Sequence, residues 1–204
     1  MFSFFKKKKP QPGFTESVWI STAAKFEAIQ KHAQTNAGQP VWLIYHFEDS
    51  ATALEQVLTA LSTPCKRTQR MNEASDAGTA WLMPASAIGG QLQGYSGPQP
   101  QVLVIEHYPL QARDLELYNA LQQLFPGMAA QQYTGMDEPV MQQFGSERIV
   151  SMMERLGIKR DEAISHPMIT KSIARALEKV AADAKGDAAT SSQQAWFDTN
   201  MPKR

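Results

Sequence analysis

The sequence predicts an α/β fold, a mostly parallel sheet with helices on both faces, followed by C-terminal helices. Three observations predict it. Val41 to Phe47 and Val102 to Ile105 are continuous apolar runs, the pattern of strands buried on both faces. Segments of helical periodicity alternate with the strand candidates, as parallel crossover connections require. Beyond about residue 135 the pattern becomes helical throughout.

The elements follow in order. Residues 1–16 read as a disordered Phe/Lys-rich tail, with Pro10 and Pro12 set against regular structure. Ser17 to Ile20 is a short extended segment rich in β-formers. Thr22 is the expected cap of a helix whose apolar face is Phe26, Ile29 and Ala33. Gly38-Gln39-Pro40 breaks that helix, and the Val41 strand follows. Glu48-Asp49-Ser50 then turns into a helix through Leu54, Val57, Leu58 and Leu61, ended at Thr63-Pro64. A short strand is expected near Lys66 to Thr68 and another from Thr79 to Met83, stopped by Pro84. Gly89 to Pro100 is rich in Gly, Gln and Pro and reads as a loop. After the Val102 strand, Leu115, Leu117, Leu121 and Leu124 recur along a helix from Ala112 to Leu124. Gln131 to Thr134 is a last strand candidate. Glu138 to about Lys185 reads as helical with breaks at Gly145, Gly157 and His166-Pro167, and residues 186–204 as a loose polar tail apart from Trp196 and Phe197.

A chain of 204 residues supports one good core with an appendage, or two small domains. Twenty basic and twenty acidic residues cancel, so no global field draws in nucleic acid or an anionic membrane. The lone Cys65 excludes an internal disulfide and suits a reducing compartment. No apolar run approaches the ~20 residues of a membrane span. The start, MFSFFKKKKPQP, lacks an apolar core and does not read as a secretory signal, so a cytoplasmic location is expected. Phe2, Phe4 and Phe5 with Lys6, Lys7, Lys8 and Lys9 are a candidate membrane contact, each lysine contributing about 1 kcal/mol at an anionic surface. So short a segment anchors weakly, which makes any such contact peripheral at the inner membrane face. A soluble tail is its simpler reading.

The run MDEPVMQQFGSERIVSMMERLGIKRDEAISHPMITKSIARALEKV, Met136 to Val180, carries the most specific signal. It resembles SecA, the motor ATPase of bacterial protein export, where a similar run closes the second nucleotide-binding domain and opens the helical scaffold. Turn and polar residues such as Ser146, Gly157, His166, Pro167, Thr170 and Lys171 match as well as the apolar period, which chance similarity between amphipathic helices would not produce. Val18 to Leu61 resembles the beginning of the same SecA domain in element order. The resemblance implies a RecA-like lobe over residues 17–135 and a scaffold-like helical extension over residues 136–185, a degenerate and truncated form of the family.

The motor chemistry implied by that family is missing. No Gly-x-x-x-x-Gly-Lys-Ser/Thr run is present to cradle phosphates, and no Asp-Glu pair follows an apolar strand to hold magnesium. In SecA the second lobe carries a Gln-x-x-Gly-Arg-x-Gly-Arg signature beyond an Arg-Arg-Ile-Asp run. Laid without gaps on Val102 to Gly127, the first arginine of that run falls on Arg113, and the two signature arginines fall on Gln122 and Phe125. Leu82 to Ile88 replaces a further family motif, Thr-Asn-Met-Ala-Gly-Arg-Gly. Arg113 alone reads as a surface or ion-pair residue.

The remaining conspicuous residues fit structural roles. His32, His46 and His107 are scattered without metal-ligand spacing. Ser50, Ser146 and Ser165 suit helix caps, and Pro167 suits a first helical position. Neither catalytic residues nor a cofactor or metal site are assigned, and the chain is not expected to be an enzyme.

The function this implies is a non-catalytic SecA-like domain that acts as a protein-interaction module, linked to protein export, whose partner is another protein or a second copy. The candidate interaction residues are Ile169, Ile173, Leu177 and Val180, an apolar stripe that one small lobe leaves partly uncovered, together with Met152 and Met153, whose pliable side chains suit a peptide surface. The alternative is half of a split nucleotide-dependent motor needing a second lobe in trans, which calls for arginines at positions 122 and 125. A nucleic-acid binder is disfavoured by neutral charge and the lack of a basic-aromatic patch in the body of the chain.

Overall fold

A computed structural model describes residues 13–90, 95–143, 145–155 and 157–202, without the side chains of Arg148, Met152, Met153 and Glu154. β1 (Thr15–Trp19), β2 (Val41–Tyr45), β3 (Cys65–Arg67), β4 (Ala80–Pro84), β5 (Gln101–Val104) and β6 (Gln131–Gly135) form one sheet. All six strands are parallel, in the order β1-β6-β5-β2-β4-β3. The expected α/β architecture of a parallel sheet with covering helices is therefore present.

The apolar runs explain the central strands. Val41, Leu43 and Tyr45 enter one core, shared with α1 (Thr22–Thr35) and α2 (Glu48–Ala60). Trp42 and Ile44 enter the other, shared with α4 (Gln111–Leu124). All five β2 residues are buried, so polar alternation is absent. The edge strand β3 is short and carries exposed Lys66 and Arg67, which discourages pairing with another chain.

Three details depart from the sequence reading. Ser21, not Thr22, caps α1, its hydroxyl accepting from the Ala24 N–H at 3.2 Å. Thr22 instead donates its N–H and its hydroxyl to Asp137 Oδ1, at 2.6 and 2.7 Å. A Cβ at Gly135 would stand 2.8 Å from the Thr22 nitrogen and 2.9 Å from Asp137 Oδ1, so only glycine admits this junction. A short helix, α3 (Ala85–Gly90), precedes the expected loop and takes in its first two residues, Gly89 and Gly90.

The helical extension comprises α5 (Pro139–Gln142), α6 (Ser146–Arg155) and α7 (Pro167–Asp183). Between α6 and α7 the described residues are not helical: Ile164 exchanges two backbone hydrogen bonds with Val18, at 3.0 and 2.8 Å, and so covers the exposed edge of β1. His166 caps α7, its Nδ1 accepting from the Met168 N–H at 3.2 Å, and Pro167 takes the first helical position as expected.

The segment expected to be a loose tail is packed. It forms α8 (Gln193–Asn200), capped by the Ser192 hydroxyl. Trp196 is fully buried and Phe197 nearly so. Gln193 accepts from the Val140 N–H at 2.7 Å and donates to the His107 carbonyl at 2.8 Å, so one side chain ties α8 to both α5 and the end of β5. Two aromatics that each bury roughly 150–250 Å² outweigh a polar composition.

Candidate functional site

In this topology β2 leads outward to β3 while β5 leads the other way to β6, so the chain reverses direction between two adjacent strands. Open α/β sheets bind ligands in the crevice beyond the strand ends at such a point. A pocket of about 410 Å³ lies there. His46 follows β2, Pro84 ends β4, Tyr108 follows β5, and Arg113 and Glu116 stand on the first turns of α4.

The pocket's cation is occupied by the chain itself. Asp187, arriving between α7 and α8, accepts from Arg113 Nε and Nη2 at 2.9 and 2.8 Å. Arg113 Nη1 donates to Glu116 at 3.1 Å. Tyr108 and the Trp196 indole donate to the other Asp187 oxygen, at 2.5 and 3.0 Å. Burial works to raise the Asp187 carboxyl, but hydrogen bonds from Tyr108, Trp196 and Arg113 hold it below the usual carboxylate range. Arg113 is the only Lys or Arg among the described lining residues, beside two carboxylates.

The positions that the SecA resemblance marks for arginines do structural work. Gln122 accepts from the Gly127 N–H at 3.1 Å and donates to the Met128 carbonyl at 2.8 Å, closing the turn after α4. Phe125 packs edge-on to Trp42 and Tyr95, with ring centroids 5.7 and 5.6 Å away.

Beneath the pocket lies a buried polar network that sequence reading missed. His107 Nδ1 meets Asp114 Oδ2 at 2.7 Å, and its Nε2 meets Glu16 Oε2 at 3.1 Å. His46 Nε2 lies 3.0 Å from Asp114 Oδ1, within ion-pair reach but without an aligned hydrogen bond. The Tyr108 N–H donates to Asp114 and the Thr134 hydroxyl to Glu16. Burial alone would lower the His107 pKa, yet the Glu16 charge and the hydrogen bonds to Asp114 and Glu16 raise it well above the ordinary value. Burial would likewise raise Asp114, yet the hydrogen bond with His107 and the closeness of the His46 ring bring it down to about 2. The network joins β1, the end of β5 and α4. Ser50, expected as a helix cap, instead donates its hydroxyl to Glu106. Among the described residues no group of three or more His, Cys, Asp or Glu side chains is arranged to hold a metal. Burial pushes the Cys65 thiol up to about 12, away from reactivity.

The second concave feature is an apolar groove of about 920 Å³ between α7 and the α5–α6 region. Its position corrects the expected stripe. Ile173, Leu177 and Val180 are 5, 1 and 3% exposed, packed onto the lobe rather than free. Ile169 is half-buried at the groove. The open face is turned about the helix axis to Met168, Ser172, Arg175 and Lys179, and Met168 is 71% exposed. Met152 and Met153 lie outside the described side chains, and Phe2, Phe4, Phe5 and Lys6 to Lys9 outside the described residues. Among the described residues no helix is long and apolar enough to cross a membrane.

Comparison with known proteins yields a local match. The protein translocase subunit SecA of Acidithiobacillus ferrooxidans is 50% identical over 48 residues, 24% of this chain and 5% of that protein. SecA of Prosthecochloris aestuarii matches to the same extent. SecA of Christiangramia forsetii is 47% identical over 55 residues, 27% of this chain and 5% of that protein. The chain contains a SecA-related segment. It matches only about one twentieth of the length of these relatives. No family model matches the chain. Among solved structures, the C-terminal part of the Fun30 ATPase domain aligns over 77% of this chain and 52% of its own, with a TM-score of 0.43 and 13% identity.

Proposed function

We propose that the chain is a SecA-related lobe that serves as a non-catalytic protein-interaction module in the cytoplasm, in the service of protein export. One observation carries the non-catalytic part: the arginine at the switch-point pocket is neutralised by Asp187 and Glu116 of the same chain. A triphosphate needs unpaired cations and donors where charge develops, and an arginine serving that role elsewhere is worth 10³ to 10⁵ in rate. Gln122 and Phe125 supply no replacement. The same arrangement weighs against half of a split motor, which would have to present an arginine to a nucleotide held by the other lobe. The link to export rests on the SecA-related segment, and the interaction role on the open apolar groove beside it.

The test is affinity purification of the tagged full chain from gently crosslinked cells, with cytosol and membranes analysed separately. A protein recovered in constant proportion, from either fraction, supports the module. Recovery of the chain alone, joined by magnesium-dependent ATP turnover in the purified protein, overturns it.

A further inference from the structure

We infer that the groove between α7 and α6 is a docking site for a partner's amphipathic helix whose apolar ridge is flanked by acidic residues. This rests on the reading of the chain as an interaction module and specifies the partner's chemistry. The groove floor is apolar, with Ile149, Ile158 and Ile164 on one side and Met168 standing out from α7 on the other. An exposed methionine at the lip of an apolar cleft is the pliable contact that helix-binding grooves use.

Charge selects among occupants. Arg175 and Lys179 are one turn apart on the same wall, and no Asp or Glu is among the described lining residues. An acidic flank complements that wall and fixes the direction in which the helix lies. The chain's own N-terminal segment, with Lys6 to Lys9, carries the same sign as the wall and does not fit. A flat lipid surface does not fill a concavity between helices.

Shape selects a helix rather than a strand. The walls are side chains of α6 and α7, and Ile164, the extended residue at the groove, already spends its backbone N–H and C=O on Val18. Met168 to Lys179 spans three turns of α7, about 17 Å at 1.5 Å per residue. That is the length covered by anchors at positions i, i+4, i+7 and i+11 of a partner helix.

A phage-displayed library of helical peptides, panned on the full chain and counter-selected on Met168→Asp, tests this. Met168 is exposed, so the variant folds, which an unchanged melting temperature verifies. Enriched peptides are expected to repeat apolar residues at helical spacing with Asp or Glu beside them. They should bind Met168→Asp at least tenfold more weakly, and Arg175→Glu with Lys179→Glu should reverse their preference toward Lys-flanked versions. Enrichment that survives counter-selection, peptides without helical period, or a charge-reversed chain that keeps its preference would each overturn the assignment. So would a concentration-dependent dimer abolished by Met168→Asp, which would assign the groove to a second copy. If crosslinked cells still yield the same partner with Met168→Asp, the groove assignment fails while the interaction module stands.

Discussion

Asp187 places both of its carboxylate oxygens in use: one accepts from Arg113 Nε and Nη2 at 2.9 and 2.8 Å, the other from Tyr108 and Trp196. The residue comes from the C-terminal segment, yet it completes the wall of a pocket formed by the strand ends. A carboxylate thus stands where an anionic ligand would have met the arginine. The segment that delivers it is held by α8, so pocket chemistry and C-terminal packing depend on each other.

Removing the α8 anchor should therefore cost more than its distance from the strands suggests. Trp196→Ala is expected to destabilise by about 3–5 kcal/mol, the usual range for a fully buried tryptophan. At ~2–4 °C per kcal/mol for a chain of this size the melting temperature should fall by roughly 6–20 °C. A fall within the error of calorimetry would show the C-terminal segment to be detached in solution.

Placing arginines at the positions that the SecA resemblance marks should not create a motor. Gln122→Arg with Phe125→Arg breaks the turn after α4 and inserts a charge between Trp42 and Tyr95. The double variant should lose roughly 2–4 kcal/mol in urea titrations and release no phosphate from ATP. Hydrolysis above background would mean that a catalytic framework survives around it.

The two faces of α7 should separate cleanly. Leu177→Ala removes a side chain 1% exposed and is expected to cost about 2–5 kcal/mol. Met168→Ala should stay within about 0.5 kcal/mol, as exposed positions usually do. Equal losses from the two, measured by chemical denaturation, would mean that the groove is closed in the native protein.

How much of this was legible in the sequence follows from range. β2 and β5 declare themselves because burial on both faces removes every polar residue from a short run. His166-Pro167 announces α7 because cap and first-turn preferences are local. The orientation of α7 was not legible: Ile169, Ile173, Leu177 and Val180 form a stripe, but Met168, Ser172 and Ala176 lie beside it, and only the lobe decides which face it covers. α8 was misjudged because Trp196 and Phe197 are its two large apolar residues. Ser192 as a cap was the available signal. The Glu16, His46, His107 and Asp114 network comes from four separate segments, with no spacing that a linear pattern reveals.

That network fixes the pH dependence. Asp114 titrates at about 2 in the folded chain against an ordinary 3.8, so its contribution is complete above 3.8 and drains as the pH falls toward 2. His107 is shifted the other way, so its contribution is complete below the ordinary 6.5 and is lost as the pH rises through its raised value. Urea titrations should show an acid-side fall between about pH 4 and 2 and a decline on the alkaline side of 6.5. His107→Gln should lower stability by roughly 3 kcal/mol and flatten the decline above the ordinary 6.5. An alkaline decline unchanged in that variant would remove His107 as its source.

The most direct measurement is calorimetric titration of the full chain with magnesium and ATP, with melting temperatures taken in parallel. A site with a dissociation constant of about 50 µM would be stabilised by about 2.7 kcal/mol in ~5 mM nucleotide, several degrees in a chain of this size. With Arg113 bound by Asp187, no saturable heat and no rise in melting temperature are expected. A saturable isotherm with a rise of several degrees, abolished by Arg113→Ala, would show a nucleotide displacing Asp187 and would contradict the proposed non-catalytic role.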